Sequence, residues 1–275
     1  MFKTASHWNT KAIDQEKAAC RRASWSPLKT PTIDELVLIA DLLGFSQESL
    51  SITAARGLLC CATSLEGHRS FVVSDSHKLS AVAYRLDGQP WEQTNRISRI
   101  LPGSLKKWPI GITETTHFPA IAITETGIDL LCALHLIWCA SREQTIAPIA
   151  LLSRMPISEQ ALQSFCNKHI CLFQHADTPE EIGNHWSDQL REAGALAVEQ
   201  YSFDELMNPD GSSVQTLHDF VRVDAEVWEA HYDAIESAFL FGPAPVVSVA
   251  PAPFEPQPFS STATIKKETA SGGPF

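Results

Sequence analysis

From residue 119 onward the chain alternates short β-rich runs with helical segments, and this order is the feature that most limits its fold. Strands that are joined through helices lie parallel in one sheet. The pattern therefore predicts an α/β fold, with a small parallel sheet flanked by helices. The β-rich runs are 119–124, 146–153, 170–175 and 195–202, and the helical segments between them are 127–140, 158–169 and 179–194.

The residues before this alternation predict a different architecture. Thr32 and Glu35 have the spacing of a helix capping box, and Gly44 and Gly57 are placed to end two successive helices. Three strand-like runs then follow, separated by breaks short enough for hairpins. The sequence therefore predicts a helical hairpin followed by a small antiparallel β meander. The three runs are 58–64, 70–76 and 80–86.

Composition narrows the class of protein. With 275 residues, of which 44% are hydrophobic, the chain can bury a sizeable core. No apolar run reaches about 18 residues and the N-terminal residues lack the apolar stretch of a signal peptide, so we expect a cytoplasmic protein that does not enter a membrane. The seven cysteines lack the paired spacing of zinc sites, and we interpret them as buried, reduced thiols.

Charge is distributed unequally along the chain. Residues 1–118 carry 14 basic and 11 acidic side chains, a net charge of +3, whereas residues 119–275 carry 7 and 21, a net charge of −14. An acidic segment repels phosphate unless a divalent metal intervenes, while a mildly basic one can contact a polyanion. A solvated acidic surface is the simpler explanation of the same charge.

Between the meander and the α/β segment, residues 86–112 show no clear periodicity and are rich in Arg, Lys, Trp, Gly and Pro. The basic side chains here are candidates for nucleic-acid contacts, and the nearby tryptophans are candidates for base stacking. A solvated loop face explains the same charges, so both alternatives stay open. The candidates are Arg96, Arg99, Lys106 and Lys107, with Trp91 and Trp108 beside them.

Acidic residues follow two strands of the α/β segment. Glu125 comes directly after the first strand and Asp129 one helical turn later, while His175 and Asp177 follow the third strand. Since ligands bind at the carboxyl ends of parallel strands, we expect the three carboxyl groups to lie within roughly 10 Å of one another. Oxygen ligands favour magnesium or manganese over zinc. Alternatively, Glu125 is a solvated turn residue and Asp177 a helix N-cap.

These stretches resemble the motifs of Toprim domains. "AITETGIDLLCALHL" is similar to the glutamate motif, in which a strand ends in Glu-Gly and an Asp follows four positions after the Glu. "CLFQHADTPEEIGNHWSDQLREAGA" is similar to the second motif, a strand that ends in Asp-x-Asp. "QTLHDFV" (215–221) resembles the Lys-Asp-Leu-Asn-Asp element of phage and plasmid primases. The resemblance covers about residues 119–221 and implies a Toprim-like sheet.

The sequence departs from the Toprim pattern at several positions. Thr126 stands in place of the glycine after the glutamate, and His175 stands in place of the first aspartate of Asp-x-Asp. Gln215 and Thr216 replace the Lys-Asp that begins the Lys-Asp-Leu-Asn-Asp element. An imidazole removes one oxygen ligand and one negative charge, so magnesium should bind more weakly and manganese relatively better. The acids that remain are Glu125, Asp129, Asp177 and Asp219.

The resemblance implies a mobile-element DNA primase, with Glu125 as general acid/base and Mg²⁺ or Mn²⁺ as cofactor. The metal ligands it implies are Asp129, His175, Asp177 and Asp219. Single-stranded DNA template, nucleotides and a replicative helicase are the implied partners. Two alternatives stay open: a catalytically degenerate Toprim module that binds nucleic acid or replication partners, and a metal-dependent nuclease. These residues contain no GxxxxGK[ST] phosphate loop, so they do not encode a helicase motor.

Together these patterns predict five segments along the chain. The last of them is dense in Pro, Ala and Ser without apolar periodicity, which is typical of a disordered tail. The segments are an N-terminal helical segment (1–57), a small β-rich domain with a basic loop (58–118), a Toprim-like domain (119–223), a C-terminal helix (224–241) and the tail (242–275).

Overall fold

The structure is a computed structural model that describes residues 17–221, apart from Leu65, Ser202, Asp204, Glu205 and Pro209. All of these residues belong to one compact unit, Met1–Gly242. The predicted C-terminal helix and the predicted tail lie outside the described residues, as do residues 1–16 of the N-terminal segment.

A helical hairpin precedes the first strand, as the sequence predicts. Helix α1 spans Ile33–Leu43 and begins with the full capping box, in which the Thr32 side chain accepts the Glu35 N–H and the Glu35 side chain accepts the Thr32 N–H. It ends at Gly44, whose φ of 76° lies in the left-handed region. Helix α2 spans Gln47–Ala55 and is capped by Ser46. Residues 17–23 are also helical and lie within the predicted N-terminal helical segment, ahead of the two helices that capping signals locate.

The meander forms an antiparallel sheet of four strands in the order β1-β2-β3-β4. Its fourth strand falls in the segment without clear periodicity, and the sequence did not predict it. This strand is a three-residue edge strand whose side chains are largely exposed, so it lacks the apolar pattern that marks the others. The strands are β1 (Leu59–Thr63), β2 (Arg69–Ser74), β3 (Ala81–Arg85) and β4 (Ser98–Ile100).

The α/β segment forms a parallel sheet of four strands in the order β6-β5-β7-β8, so β5 and β7 are neighbours in its centre. Its strands are β5 (Ala120–Thr124), β6 (Ile146–Ala150), β7 (His169–Phe173) and β8 (Ala197–Tyr201). The helices that accompany it are α3 (Gly127–Cys139), α4 (Glu159–Leu162), α5 (Glu180–Glu192) and α6 (Leu217–Val221). The α/β class is therefore confirmed.

One predicted helix is shorter than the sequence suggests. The segment 158–169 forms only α4 and a 3₁₀ turn over Gln163–Phe165. Asn167 adopts a φ of 59°. A helix cannot continue through this left-handed conformation, so the chain turns here. His169 then begins β7, and its N–H donates to the carbonyl oxygen of Pro119, the residue before β5.

Helix α3 lies between the two sheets and is buried along most of its length. Ala122 of β5 packs towards it in one core, whereas Ile121 and Ile123 face the opposite side of the sheet and pack with Trp186 of α5. The same core that contains α3 also includes Phe71 and Val82 of the antiparallel sheet. Helix α3 is apolar on nearly all sides because a sheet packs against it on each of two sides.

Each sheet has one edge covered by an isolated antiparallel bridge. Ile110 pairs with Ala150 of β6, and Lys29 pairs with Cys61 of β1. Gly111, with a φ of 86°, follows the first bridge, and a Cβ there would lie 2.8 Å from the Pro148 carbonyl oxygen. Only glycine satisfies both that backbone conformation and that approach.

The cysteines agree only in part with the sequence interpretation. All seven are free, and Cys60, Cys61, Cys132 and Cys171 are buried. The other three, Cys20, Cys139 and Cys166, are exposed, which corrects the expectation that all are buried. Across the described part of the chain, no helix combines the length and apolarity needed to cross a membrane.

We expect Gly127→Ala to lower the free energy of unfolding by about 1–3 kcal/mol, as overpacking of a core does. A Cβ at this position would lie 2.6 Å from Val82 Cγ1 and 3.1 Å from Val73 Cβ, so the first turn of α3 would have to move away from the antiparallel sheet. Denaturant unfolding measures the change. Gly183→Ala is the control, because its Cβ meets the flexible amide end of Gln174. Equal losses in both variants would contradict this account.

Candidate functional site

The carboxyl ends of β5 and β7 bring the predicted acidic residues together. Glu125 follows β5, and the His175 backbone N–H at the end of β7 donates to Glu125 Oε1 over 2.9 Å. The Thr178 hydroxyl lies 2.6 Å from Oε1 and 2.8 Å from Oε2 of the same carboxylate. The Glu125 side chain is only 8% exposed. It is therefore a buried, hydrogen-bonded carboxylate and not a solvated turn residue.

Asp129 is also buried, in the first turn of α3. Thr126 is the N-cap of this helix, and its hydroxyl accepts the Asp129 N–H and donates to Asp129 Oδ2. The His218 backbone N–H, at the start of α6, donates to Asp129 Oδ1 over 3.0 Å. The Asp129 carboxylate thus lies at a helix N-terminus, where the helix dipole stabilises negative charge.

His175 pairs with Asp129 across the acidic residues. Its Nε2 lies 2.7 Å from Asp129 Oδ2. Burial opposes the charged imidazole, but the hydrogen bond to Asp129 and the charges of Asp129, Glu125 and Asp177 outweigh burial and raise the pKa of His175. The side chain that stands in place of an aspartate thus carries positive charge over a wider pH range than an ordinary histidine.

Asp177 is paired with an arginine that the sequence analysis did not single out. Arg154 lies after β6, and its Nη2 is 2.7 Å from Asp177 Oδ1 while its Nε is 3.8 Å from Glu125 Oε2. Asp177 itself is 69% exposed. It is not the N-cap of α5, because that helix begins after Pro179 and has no side-chain cap. We call Glu125, Asp129, Arg154, His175 and Asp177 together the acidic edge.

Asp219 does not join the acidic edge through its carboxylate. Its Oδ2 accepts the backbone N–H groups of Gln215 and Thr216, which is a local capping arrangement at the start of α6. The segment 215–221 contacts Asp129 through the backbone N–H of His218 instead.

The ligand atoms of the acidic edge do not fit a divalent metal in this arrangement. Both oxygens of Glu125 and both oxygens of Asp129 already lie against protein donors, and Arg154 supplies positive charge between Glu125 and Asp177. Among the described residues, no group of three or more His, Cys, Asp or Glu side chains is placed to hold a metal ion. Metal binding by these residues stays a prediction from the resemblance.

The basic candidates lie on a second feature, a groove of about 820 Å³ beside β4. Arg96, Arg99 and Lys106 line it, and residues of the 17–23 helix add Lys17 and Arg21. We call these five side chains the basic groove. None of the described residues that line it is acidic. Lys107 instead lines an adjacent cavity of about 410 Å³, together with Trp108 and Met155.

The two tryptophans differ in their availability for base stacking. Trp91 is only 4% exposed, and the guanidinium of Arg99 lies 5.4 Å from the centre of its ring. Trp91 is therefore not available for stacking and instead positions Arg99 through a cation–π contact. Trp108 is partly buried against the core under the parallel sheet and lines the adjacent cavity, so stacking on its ring stays a prediction.

Several residues of these features were missed by sequence reasoning. Arg154 follows β6, a strand of the same sheet, so the rule that located the acids applied to it as well. Lys17 and Arg21 are distant from Arg96 in sequence, and no local pattern connects them.

Comparison with known proteins gives limited similarity. No protein-family model matches the chain, and no curated protein matches it. The primase fragment of the bacteriophage T7 primase-helicase protein aligns at 13% identity over 72% of this chain and 71% of that chain, with a TM-score of 0.44. A DnaG primase catalytic domain bound to single-stranded DNA aligns at 10% identity over 85% of this chain and 75% of that chain, with a TM-score of 0.40. Similarity of this size leaves the function to be argued from the residues themselves.

We expect Thr178→Val to lower the free energy of unfolding by about 1–3 kcal/mol, because it removes a hydroxyl donor from the buried Glu125 carboxylate. Thr178→Ser keeps the hydroxyl and should retain most of the stability. Chemical denaturation of the three proteins at neutral pH measures the difference. If Val and Ser behave alike, Glu125 does not depend on this hydrogen bond.

Proposed function

We propose that the chain is a primase-like protein that binds single-stranded DNA through the basic groove, beside a catalytically degenerate Toprim-like site. The observation that carries this proposal is the groove itself, which five basic side chains line with no acidic residue among the described lining residues. One of the five, Arg99, pairs with Glu66, which lies outside the lining. Phosphate contacts of this kind supply most of the affinity for single strands, and they do so without reading the sequence.

The contacts within the acidic edge favour a catalytically degenerate site. The Toprim-like motifs place Glu125, Asp129 and Asp177 at one sheet edge, but Arg154 and His175 neutralise part of that charge from within the protein. Thr126 and His175, which depart from the motif, both bond Asp129. The two residues that depart from the motif therefore supply hydrogen bonds to Asp129, so groups of the protein itself satisfy this carboxylate.

A second candidate is metal-dependent primer synthesis, with a nuclease as its variant. Asp177 favours this candidate, because its carboxylate is mostly exposed at the same edge as Glu125. For this candidate the resemblance implies Glu125 as the general acid/base and Asp129, His175, Asp177 and Asp219 as ligands of magnesium or manganese, and the internal hydrogen bonds of Glu125 and Asp129 would have to break before an ion could bind. A replicative helicase is then the partner that brings the template.

Removing one charge from the basic groove should weaken DNA binding. We expect Arg96→Ala and Lys106→Ala each to reduce affinity for a labelled single-stranded oligonucleotide and to make the slope of log K against log salt shallower by about 0.7. Fluorescence anisotropy at several salt concentrations measures both quantities. Arg191→Ala is the matched control, since Arg191 lies on α5 and pairs with Asp188. An equal effect of the control would show that binding depends on net charge and not on the groove.

The two candidates also differ in activity. The degenerate site should yield no primer and no cleavage product from single-stranded DNA with either magnesium or manganese, while the DNA still binds. Gel assays with labelled nucleotides and labelled template measure both reactions. Metal-dependent primer synthesis that is lost in Glu125→Gln would establish the second candidate instead.

A further inference from the structure

The acidic edge contains a cation of its own. The guanidinium of Arg154 lies 2.7 Å from Asp177 and 3.8 Å from Glu125. These two carboxylates follow the neighbouring strands β7 and β5. We infer that Arg154 takes the place of a divalent cation at this edge: it neutralises Glu125 and Asp177, and it thereby keeps divalent metal ions from binding there.

Charge at the edge supports this role. Glu125, Asp129 and Asp177 carry three formal negative charges, and Arg154 carries one formal positive charge beside two of them. Arg154 therefore lowers the attraction of this edge for a divalent ion. Without Arg154 one positive charge is lost, and the repulsion between its guanidinium and the ion is removed as well.

The exposure and hydrogen bonds of the carboxylate oxygens also disfavour metal binding at this edge. Magnesium keeps several water ligands and needs open coordination space. Asp129 is only 2% exposed and has hydrogen-bonding partners on both oxygens, so it cannot gather such waters. Asp177 is 69% exposed and is the acid of this edge most open to a cation, and its carboxylate is paired with Arg154. Glu125 is only 8% exposed, and Arg154 adds to the protein donors that already surround its oxygens.

The position of Arg154 is set by bonds made on both sides of it. The Ser153 hydroxyl donates to the Lys106 carbonyl over 2.9 Å, and the Ser158 N–H donates to the Lys107 carbonyl over 3.0 Å. The segment that carries Arg154 is therefore anchored to the chain beside the basic groove. A guanidinium that is placed in this way loses less side-chain entropy when it pairs with two carboxylates.

Manganese binding to Arg154 variants tests the inference without nucleic acid, so its outcome is independent of the proposed DNA binding. We expect the wild type to bind Mn²⁺ weakly in an electron paramagnetic resonance titration. Arg154→Gln should bind Mn²⁺ about tenfold or more tightly, because a fixed positive charge no longer repels the ion. A second variant, Arg154→Ala, should show the same gain and guards against a glutamine-specific contact.

Two controls make the result decisive. Arg191→Ala loses the same charge from an exposed ion pair on α5 and should bind Mn²⁺ like the wild type. Adding Asp177→Asn to Arg154→Gln should abolish the gain, because it removes an oxygen ligand of the opened site. Circular dichroism verifies that each variant is folded. Tight Mn²⁺ binding by the wild type, or no gain in the two folded Arg154 variants, would overturn the inference.

Discussion

The buried carboxylate of Asp129 constrains three separate parts of the chain at once. A carboxylate that is only 2% exposed is costly unless it is hydrogen-bonded and partly neutralised. Its donors come from the N-cap of α3, from the loop after β7 and from the start of α6, through Thr126, His175 and His218. The relative positions of these three segments thus follow from satisfying one side chain. The close approach of Gly127 to Val82 then fixes the same helix end against the antiparallel sheet.

Much of the fold follows from local patterns in the sequence. The alternation after residue 119 identifies the parallel sheet because buried strands and the helices between them differ in length and periodicity. The capping box at Thr32 identifies the start of α1 for a similarly local reason. The edge strand β4 was missed because an exposed three-residue strand has no apolar periodicity to detect. The 3₁₀ turn over Gln163–Phe165 was missed because it is set by where β7 must begin.

The candidate site was predictable in part. The strand-end rule places Glu125 and His175 beside each other because β5 and β7 are adjacent, and adjacency in the sheet was not known from sequence. Thr126 stands where the Toprim motif has glycine, so from sequence it counts as a departure from the motif. In the structure its hydroxyl caps α3 and bonds Asp129. Long-range pairs such as Arg154 with Asp177 have no sequence pattern.

The isolated bridges at the sheet edges affect how the protein behaves at high concentration. Unpaired strand edges are templates for edge-to-edge aggregation between copies. Lys29 covers the edge of β1 and Ile110 covers the edge of β6, each with a pair of backbone hydrogen bonds. The opposite edges are β4 and β8, which carry Arg99 and the exposed Glu199. Short strands with charged side chains pair poorly with a second copy, so both sheets are protected against intermolecular β-sheet growth by the same two devices.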